Sequence, residues 1–196
     1  MNAYDFDKTI YDGDSTADFY KYTFFKYPKT RKYFFVTAWS FFLYIIGYYT
    51  KTEFKEKMYS FLKGIPDIDE ALCSFWDSHI KNIKQYYLRQ QAPDDIIISA
   101  SPEFLLKPIC ERLGIEYLIA SIVDAHTGKY TGKNCYGEEK VKRLEAYMPD
   151  YKINEFYSDS VSDDPVGALA ERSYIVRKEN IIKRQEYKPS FASRFK

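Results

Sequence analysis

Apolar positions in the second half of the chain follow a repeated order of strand, helix and strand. The β-branched run Ile96-Ile97-Ile98 predicts a buried strand, and the stretch from Glu103 to Leu113 predicts a helix that stops at Gly114. With a short first strand that ends at Asp5, this order predicts an α/β fold: a Rossmann-like parallel sheet with helices on both faces. Further strands are predicted at 117–121, 155–157 and 174–176, and further helices at 138–148 and 166–170.

The chain between the first and second predicted strands has a different pattern. The run Asp14-Ser15-Thr16 offers a helix N-cap, and apolar residues follow it at helical spacing. Further helices are predicted over 51–62 and 69–91. We therefore predict an all-helical cap domain, residues 14–92, inserted after the first strand of a core domain that comprises residues 1–13 and 93–196.

Residues 33–50 run for eighteen positions without a charge, which by length alone makes them a candidate membrane span. A single crossing would put the first strand and the strand at 96–98 on opposite sides of the membrane, although both should belong to one sheet. Two interpretations remain: a helical hairpin buried inside the cap, or a peripheral membrane surface. In the second, aromatic rings meet lipid head groups and basic side chains contact anionic lipid, and the residues concerned are Trp39, Tyr44, Tyr48, Tyr49, Lys29, Arg31, Lys32 and Lys51.

Composition and charge limit the partners, the cysteine chemistry and the cellular compartment expected for this chain. The 196 residues carry a net charge of +1, which gives no support for nucleic-acid binding. Cys73, Cys110 and Cys135 are odd in number and form no Cys-x-x-Cys pair, which argues against a disulfide framework or a zinc site. No basic and then apolar leader precedes Asp5. We expect a reduced, cytoplasmic location, at the inner face of the membrane if the peripheral interpretation holds.

Asp5 and Asp7 are the first candidates for chemistry. In an extended chain, side chains two residues apart project from the same face, so the two carboxylates would converge on one point. Two anions that close need a cation or a shared proton. A Mg²⁺ ion with oxygen ligands, and a phosphoryl group as substrate, would satisfy them. The alternative is that this Asp-x-Asp is a solvated turn or a helix cap.

Three further motifs follow Asp5-Phe6-Asp7-Lys8-Thr9 in a fixed order. Ser99 ends an apolar strand, Lys140 lies on a predicted helix, and Asp159-Ser160-Val161-Ser162-Asp163 follows a later strand. Over nearly the whole chain this set resembles the haloacid dehalogenase (HAD) superfamily of phosphatases. One departure is Lys8, at a position where the family often has glycine.

The resemblance implies a role for each of these residues. Asp5 would attack phosphorus to form an aspartyl-phosphate, and Asp7 would protonate the leaving oxygen and then activate water. Ser99 would hydrogen-bond the phosphoryl group, Lys140 would offset negative charge, and Ser101 is more simply a helix cap. The implied substrate-binding residues are Thr9, Ser99, Ala100 and Lys140, and the implied Mg²⁺ ligands are Asp5, Asp7 through its backbone carbonyl, Asp159 and Asp163, with Asp164 as the alternative to Asp163.

The helical insertion resembles the helical-cap branch of that family, which includes phosphoserine phosphatase. Phosphoserine would require a cap arginine ahead of the turn Leu62-Lys63-Gly64-Ile65-Pro66, but Met58 holds the aligned position and no arginine occurs between Arg31 and Arg89. The apolar, basic-flanked cap looks more like the bacterial phosphatidylglycerophosphatase type C. We therefore expect a phosphomonoester hydrolase acting on a phospholipid head-group phosphate, with phosphoserine phosphatase or another small-metabolite phosphatase as the alternative. A non-catalytic phosphate-binding module would be expected to lack one of the first two aspartates.

Overall fold

The computed structural model describes residues 1–188, which contain a six-stranded sheet. Its strands are β1 Asn2–Tyr4, β2 Ile96–Pro102, β3 Tyr117–Ser121, β4 Ile153–Ser158, β5 Ala170–Arg177 and β6 Asn180–Lys183. Their spatial order is β3-β2-β1-β4-β5-β6. Strands β1 to β5 run parallel to their neighbours, and β6 is antiparallel to β5. The predicted α/β class with a mostly parallel sheet is confirmed.

Five helices lie between β1 and β2, and three more accompany the later strands. The helices are α1 Ser15–Lys26, α2 Tyr33–Ile45, α3 Lys51–Met58, α4 Ile68–His79, α5 Gln85–Gln90, α6 Glu103–Arg112, α7 Glu138–Tyr147 and α8 Asp164–Gly167. The helical insertion after the first strand is therefore confirmed. Its division at residues 13 and 92 into a separate cap domain stays a prediction, and the inserted α4 is tied to the core because Trp76 Nε1 donates to the carbonyl oxygen of Leu105 at 2.8 Å.

Helices cover both faces of the sheet, as the sequence predicts. Side chains alternate along β2, so that Ile96 and Ile98 join one buried cluster while Ile97 joins another. The first cluster includes Leu144 of α7, and the second includes Leu106 of α6. Each face of the sheet thus has its own apolar layer, and the edge at the strand ends is left for polar side chains.

The central strand β1 has only three residues, and aromatic packing compensates for its length. It pairs with β2 on one side and β4 on the other. The Tyr4 ring is fully buried, stacks on Tyr157 with centroids 4.9 Å apart, and meets Tyr87 edge-on at 4.9 Å. These contacts fix the strand that delivers Asp5 to the sheet edge.

The C-terminal part of the sheet differs from the prediction. The strand predicted at 174–176 as the last one spans Ala170–Arg177, and β6 follows it unpredicted. The two join through Lys178, which has a φ of +54°. Tight hairpin turns usually carry glycine or asparagine at such a left-handed position, so the usual signal for a hairpin is missing here.

Two helix boundaries also differ from the prediction. The helix predicted over 51–62 ends at Met58 and continues as a 3₁₀ helix, Tyr59–Gly64. The helix predicted over 166–170 is α8, which begins at Asp164 with Pro165 in its first turn, a position where the missing proline N–H is not needed. Both errors concern short helices whose ends are set by packing.

The exposure of helix α2 contradicts one of the two interpretations of residues 33–50, the buried hairpin. It does form a hairpin with α3, in which the Tyr44 ring stacks on Phe54 with centroids 5.4 Å apart. The hairpin is not buried, because Ser40 is the one fully buried residue of α2. The idea of a hairpin enclosed within the cap is therefore wrong. Within residues 1–188, no helix has the length and apolar character that a bilayer crossing demands.

Candidate active site

The candidate site lies at the carboxyl ends of the three central strands. Asp5 directly follows β1, Ser99 lies near the end of β2, and Asp159 directly follows β4. Parallel strands present these ends at one edge of the sheet. A cavity of about 330 Å³ opens there, lined by residues that include the predicted Asp5, Asp7, Ser99, Ala100, Lys140, Asp159 and Asp163.

The centre of the cavity wall is a buried triad of charges. The Lys140 ammonium lies 2.9 Å from Asp5 Oδ1 and 2.9 Å from Asp163 Oδ1. The other oxygen of Asp163 accepts a hydrogen bond from Ser158 Oγ at 2.6 Å. All of these side chains are buried, so their attraction is screened little and fixes their geometry.

Burial in this triad opposes ionisation of Asp5. Burial, with smaller contributions from the charges of Asp163 and Asp159, raises the pKa of Asp5 to about 8 although Lys140 opposes the shift. Burial also opposes the charge on Lys140, but Asp5 and Asp163 together raise its pKa above the ordinary value. Lys140 therefore stays protonated. A further cation at the site would lower the pKa of Asp5 and favour its ionised form.

Asp7 has a different set of partners from Asp5. Its Oδ1 accepts from the backbone N–H of Ser15 at 2.6 Å, and its Oδ2 accepts from Ser101 Oγ at 2.5 Å. Burial and the charge of Asp14 raise the pKa of Asp7 to about 6, although the hydrogen bonds from Ser101 and Ser15 oppose the shift. A carboxyl group that titrates near neutral pH can both give and take a proton. The prediction of Ser101 as a helix cap is wrong, because its hydroxyl binds Asp7 instead.

The loop between β1 and α1 brings Asp5 and Asp7 to the cavity by a turn. The extended chain assumed from the sequence ends at Tyr4, and Lys8 has a φ of +59°. Glycine adopts such a left-handed backbone most readily; here Lys8 adopts it, and Lys84 Nζ supports the turn by donating to Lys8 O at 2.7 Å.

Thr9 is placed apart from the other predicted substrate-binding residues. It is fully buried, and it is absent from the residues that line the cavity within the described part of the chain. Its Oγ1 accepts from the backbone N–H of Asp159 at 2.9 Å. Thr9 thus joins the first motif to the fourth and positions Asp159.

The carboxylates at the site suit a divalent cation. Asp5 and Asp163 share the Lys140 ammonium, and burial raises the pKa of Asp159 while Lys8 and Arg177 oppose that shift. The residues that line the cavity include five aspartates, Asp5, Asp7, Asp14, Asp159 and Asp163, and four lysines, Lys8, Lys51, Lys55 and Lys140, so carboxylates outnumber ammonium groups. Residues 1–188 hold no ready-made group of three His, Cys, Asp or Glu side chains for a metal. Mg²⁺ does not require one, since it is commonly held by one or two carboxylates, water and substrate phosphate.

The choice between Asp163 and Asp164 follows from their contacts. Asp163 lines the cavity and touches Lys140, whereas Asp164 forms a two-pronged ion pair with Arg184, with both contacts at 2.6 Å. The Asp164 side chain is therefore bound to Arg184, away from the cavity, at the start of α8.

Sequence reasoning missed the wall that the helical insertion gives to the cavity. Lys51, Phe54, Lys55 and Met58 of α3 line it together, at the i, i+3, i+4 and i+7 spacing of one helix face. Burial and the nearby charge of Lys51 lower the pKa of Lys55 to about 8. The spacing was visible in the sequence, but which face of α3 meets the core was not.

Lys55 reaches across from the insertion to the core. Its Nζ donates to the carbonyl oxygen of Ala100 at 3.2 Å. The neighbouring Lys51 Nζ lies 4.4 Å from the centre of the Tyr136 ring. Two ammonium groups thus stand at the cavity wall opposite the aspartates.

Comparisons with known proteins agree with this geometry. A family model described as haloacid dehalogenase-like hydrolase matches residues 3–167. The chain is 26% identical over 131 residues to a histidinol-phosphatase of Neisseria meningitidis serogroup C (strain 8013), in an alignment that covers 59% of each protein. The chain therefore spans about three fifths of that relative's length.

Solved structures share the fold. A protein of unknown function from Bordetella pertussis Tohama I superposes with a TM-score of 0.70 and 19% identity, and the alignment covers 88% of this chain and 87% of that one. A phosphoserine phosphohydrolase-like protein from Francisella tularensis subsp. tularensis SCHU S4 superposes with a TM-score of 0.57 and 13% identity, covering 91% and 90%. At these identities the likeness is one of fold.

Proposed function

The chain belongs to the haloacid dehalogenase-like hydrolases, and on that premise we propose that it is a Mg²⁺-dependent phosphomonoesterase that forms an aspartyl-phosphate on Asp5. One observation carries the proposal: the buried Lys140 ammonium lies 2.9 Å from both Asp5 and Asp163. This bridge holds a carboxylate oxygen in a fixed position at the end of the central strand. A phosphoryl group bound in the cavity would meet that oxygen.

In the first step, a carboxylate oxygen of Asp5 attacks phosphorus and the bond from phosphorus to the ester oxygen breaks. Two like charges approach each other here, and Lys140 offsets part of the repulsion. Asp7 gives its proton to the departing oxygen, which leaves as an alcohol. Its pKa of about 6 leaves a usable protonated fraction near neutral pH.

In the second step, Asp7 acts as a base. It takes a proton from water, whose oxygen attacks phosphorus while the bond from Asp5 to phosphorus breaks. Inorganic phosphate leaves, Asp5 is again a carboxylate, and Asp7 is again protonated. Each step leaves Asp7 in the state that the next one requires.

Mg²⁺, when bound, would supply positive charge to the phosphoryl oxygens and favour the ionised form of Asp5. The carboxylates of Asp5 and Asp159 and the backbone carbonyl of Asp7 are the groups that would hold it. Asp163 already contacts Lys140 and Ser158. We therefore propose that it positions Lys140 and would contact Mg²⁺ through a water molecule.

For the substrate, we place the small-metabolite ester ahead of the phospholipid head group expected from the sequence. The matched relative is named for a small phosphate ester. The cavity, at about 330 Å³, lies at the lower end of the range of roughly 300–1,000 Å³ for small-molecule sites.

The ammonium groups on α3 indicate which kind of ester the cavity would accept. Lys51 and Lys55 line the cavity, so we propose that the ester carries a second acidic group, a carboxylate or a second phosphate. Phosphoserine was ranked lower from the sequence because Met58 holds the position of the arginine that would bind its carboxylate. Because Lys55 offers a cation from the same helix, phosphoserine returns as a candidate.

Replacing Lys55 by Met should weaken this second contact. For esters with an additional carboxylate or phosphate, we expect KM to rise about tenfold or more, equivalent to about 1.4 kcal/mol, with kcat little changed. For p-nitrophenyl phosphate, which lacks such a group, KM should stay within about twofold. The measurement is steady-state kinetics on a panel that includes phosphoserine, histidinol phosphate, a sugar bisphosphate and phosphatidylglycerophosphate. Lys57→Met, on the exposed side of the same helix, is the matched control. Equal loss on all esters would contradict this role.

The same contact predicts a pH dependence. Burial and Lys51 lower the pKa of Lys55 to about 8, although Asp14 and Asp7 partly oppose that shift and Lys140 adds to it. The lysine is charged below that pH and neutral above it. The selectivity for doubly acidic esters, measured as the ratio of kcat/KM to that for p-nitrophenyl phosphate, should therefore fall as the pH rises through about 8. Lys55→Arg keeps its charge and should flatten the profile. A ratio that stays constant from pH 7 to 9 in the unmodified enzyme would refute the assignment.

A further inference from the structure

Helix α2 presents its most apolar stripe to solvent. Phe35, Trp39, Phe42 and Ile46 lie at positions i, i+4, i+7 and i+11, on one side of the helix and its C-cap, and are exposed by 76%, 63%, 50% and 58%. A helix at the surface of a soluble domain normally turns such a stripe towards the core. We call these four residues the outer stripe.

The inner side of α2 already has its partner. The Phe41 ring lies 5.5 Å from that of Phe54 on α3, and Tyr44 stacks on the same ring. Ser40 is buried on that side, and its hydroxyl donates to Val36 O at 2.8 Å. The hairpin therefore leaves the outer stripe exposed, together with the neighbouring Ile45, which is 64% exposed.

The chain segment that contains the outer stripe carries positive charge only. The sequence has no acidic residue between Asp18 and Glu53. The basic side chains in that interval are all exposed, and they are Lys21, Lys26, Lys29, Arg31, Lys32 and Lys51. Lys26 has an acidic partner in Glu70, at 3.8 Å. The rim of the stripe is thus suited to a partner that is negative at its edge and apolar inside.

We propose that the outer stripe docks on the surface of an anionic lipid bilayer. A bilayer offers apolar chains beneath negatively charged head groups, which matches both the stripe and its rim. Tryptophan favours the boundary between the two. With 13 residues, α2 is about 20 Å long, too short for a hydrocarbon core of about 30 Å, so it lies in the plane of the surface. A second copy of this chain would bring the same basic rim, and the like charges would repel.

This inference does not depend on the proposed catalytic function. Co-sedimentation with phosphatidylglycerol vesicles is its first test. At low salt we expect most of the protein in the pellet, at least tenfold less with phosphatidylcholine vesicles, and partial release at high salt. The Trp39 emission should shift to the blue with phosphatidylglycerol, whereas Trp76 is fully buried and should not respond. Trp39→Phe should therefore abolish the shift.

Two sets of substitutions test whether the outer stripe binds a lipid surface or another partner. Phe35→Ser, Trp39→Ser and Phe42→Ser together, or Lys29→Glu and Lys32→Glu together, should each reduce binding at least tenfold. Tyr147→Ser removes another exposed aromatic ring, on α7, and should have no effect. Circular dichroism confirms folding without reference to activity. The proposal is overturned if vesicles sediment none of the protein, if both lipids bind equally, or if ultracentrifugation reveals a dimer that the triple variant dissociates.

Discussion

Replacing Asp5 by Asn should reduce phosphomonoester turnover by about 10⁴-fold or more, in line with losses measured when a catalytic nucleophile is removed. The amide has nearly the shape of the carboxylate but cannot form the acyl phosphate. Its neutral side chain also removes one of the two carboxylate partners of Lys140, whose ammonium lies 2.9 Å from Asp5 Oδ1. The measurement is release of inorganic phosphate from the substrate panel with Mg²⁺.

The control for that variant is Asp164→Asn. Asp164 is the nearest motif carboxylate outside the cavity and pairs with Arg184, so its loss should leave turnover largely intact. Excess EDTA should inhibit the unmodified enzyme, with recovery on adding Mg²⁺. Substantial turnover by Asp5→Asn would refute the role of Asp5, and full activity in EDTA would refute the metal requirement.

Lys140→Met should impair both activity and stability. The substitution keeps much of the side-chain volume but leaves Asp5 and Asp163 buried without their cation. Loss of one partner from a buried charge cluster costs about 3–5 kcal/mol. Activity should fall by about 10²-fold to 10³-fold, as for loss of one group that stabilises charge in a transition state.

The stability deficit of Lys140→Met should depend on pH in a defined direction. Without the ammonium, the pKa of the buried Asp5 carboxyl rises further above its unfolded value, so the folded variant binds a proton that the unfolded chain releases. Because that pKa is about 8 even with Lys140 present, the deficit should be largest at alkaline pH and shrink as acidification protonates Asp5 in both proteins. Urea unfolding at several pH values measures it, and Lys142→Met, on the exposed side of α7, is the control. A deficit independent of pH would indicate lost packing instead of lost charge.

The sequence predicted the parts of the site that depend on local pattern. Asp5 and Asp159 directly follow β1 and β4, Ser99 lies within β2, and parallel topology brings these positions to one edge of the sheet. Lys140 was placed by its order among the motifs. These residues line one cavity because the fold is determined by the same strands that carry them.

Other parts depend on contacts between distant segments. Lys55 reaches Ala100 across 45 positions, and Ser101 reaches Asp7 across 94. No local pattern encodes such pairs, since they depend on how α3 and the end of β2 pack. Helix α2 departs from prediction for another reason: its apolar stripe faces solvent, against the usual preference for the core.

The central claim, an aspartyl-phosphate on Asp5, can be tested directly by chemical trapping. The enzyme is mixed with Mg²⁺ and its best ester, quenched in acid and reduced with borohydride, which converts an acyl phosphate on aspartate to homoserine. Peptide mass spectrometry then locates the product. Our account predicts homoserine at position 5 alone, dependent on ester and absent in Asp5→Asn. Trapping at another residue, or no trapping from an enzyme that rapidly hydrolyses the ester, would contradict it.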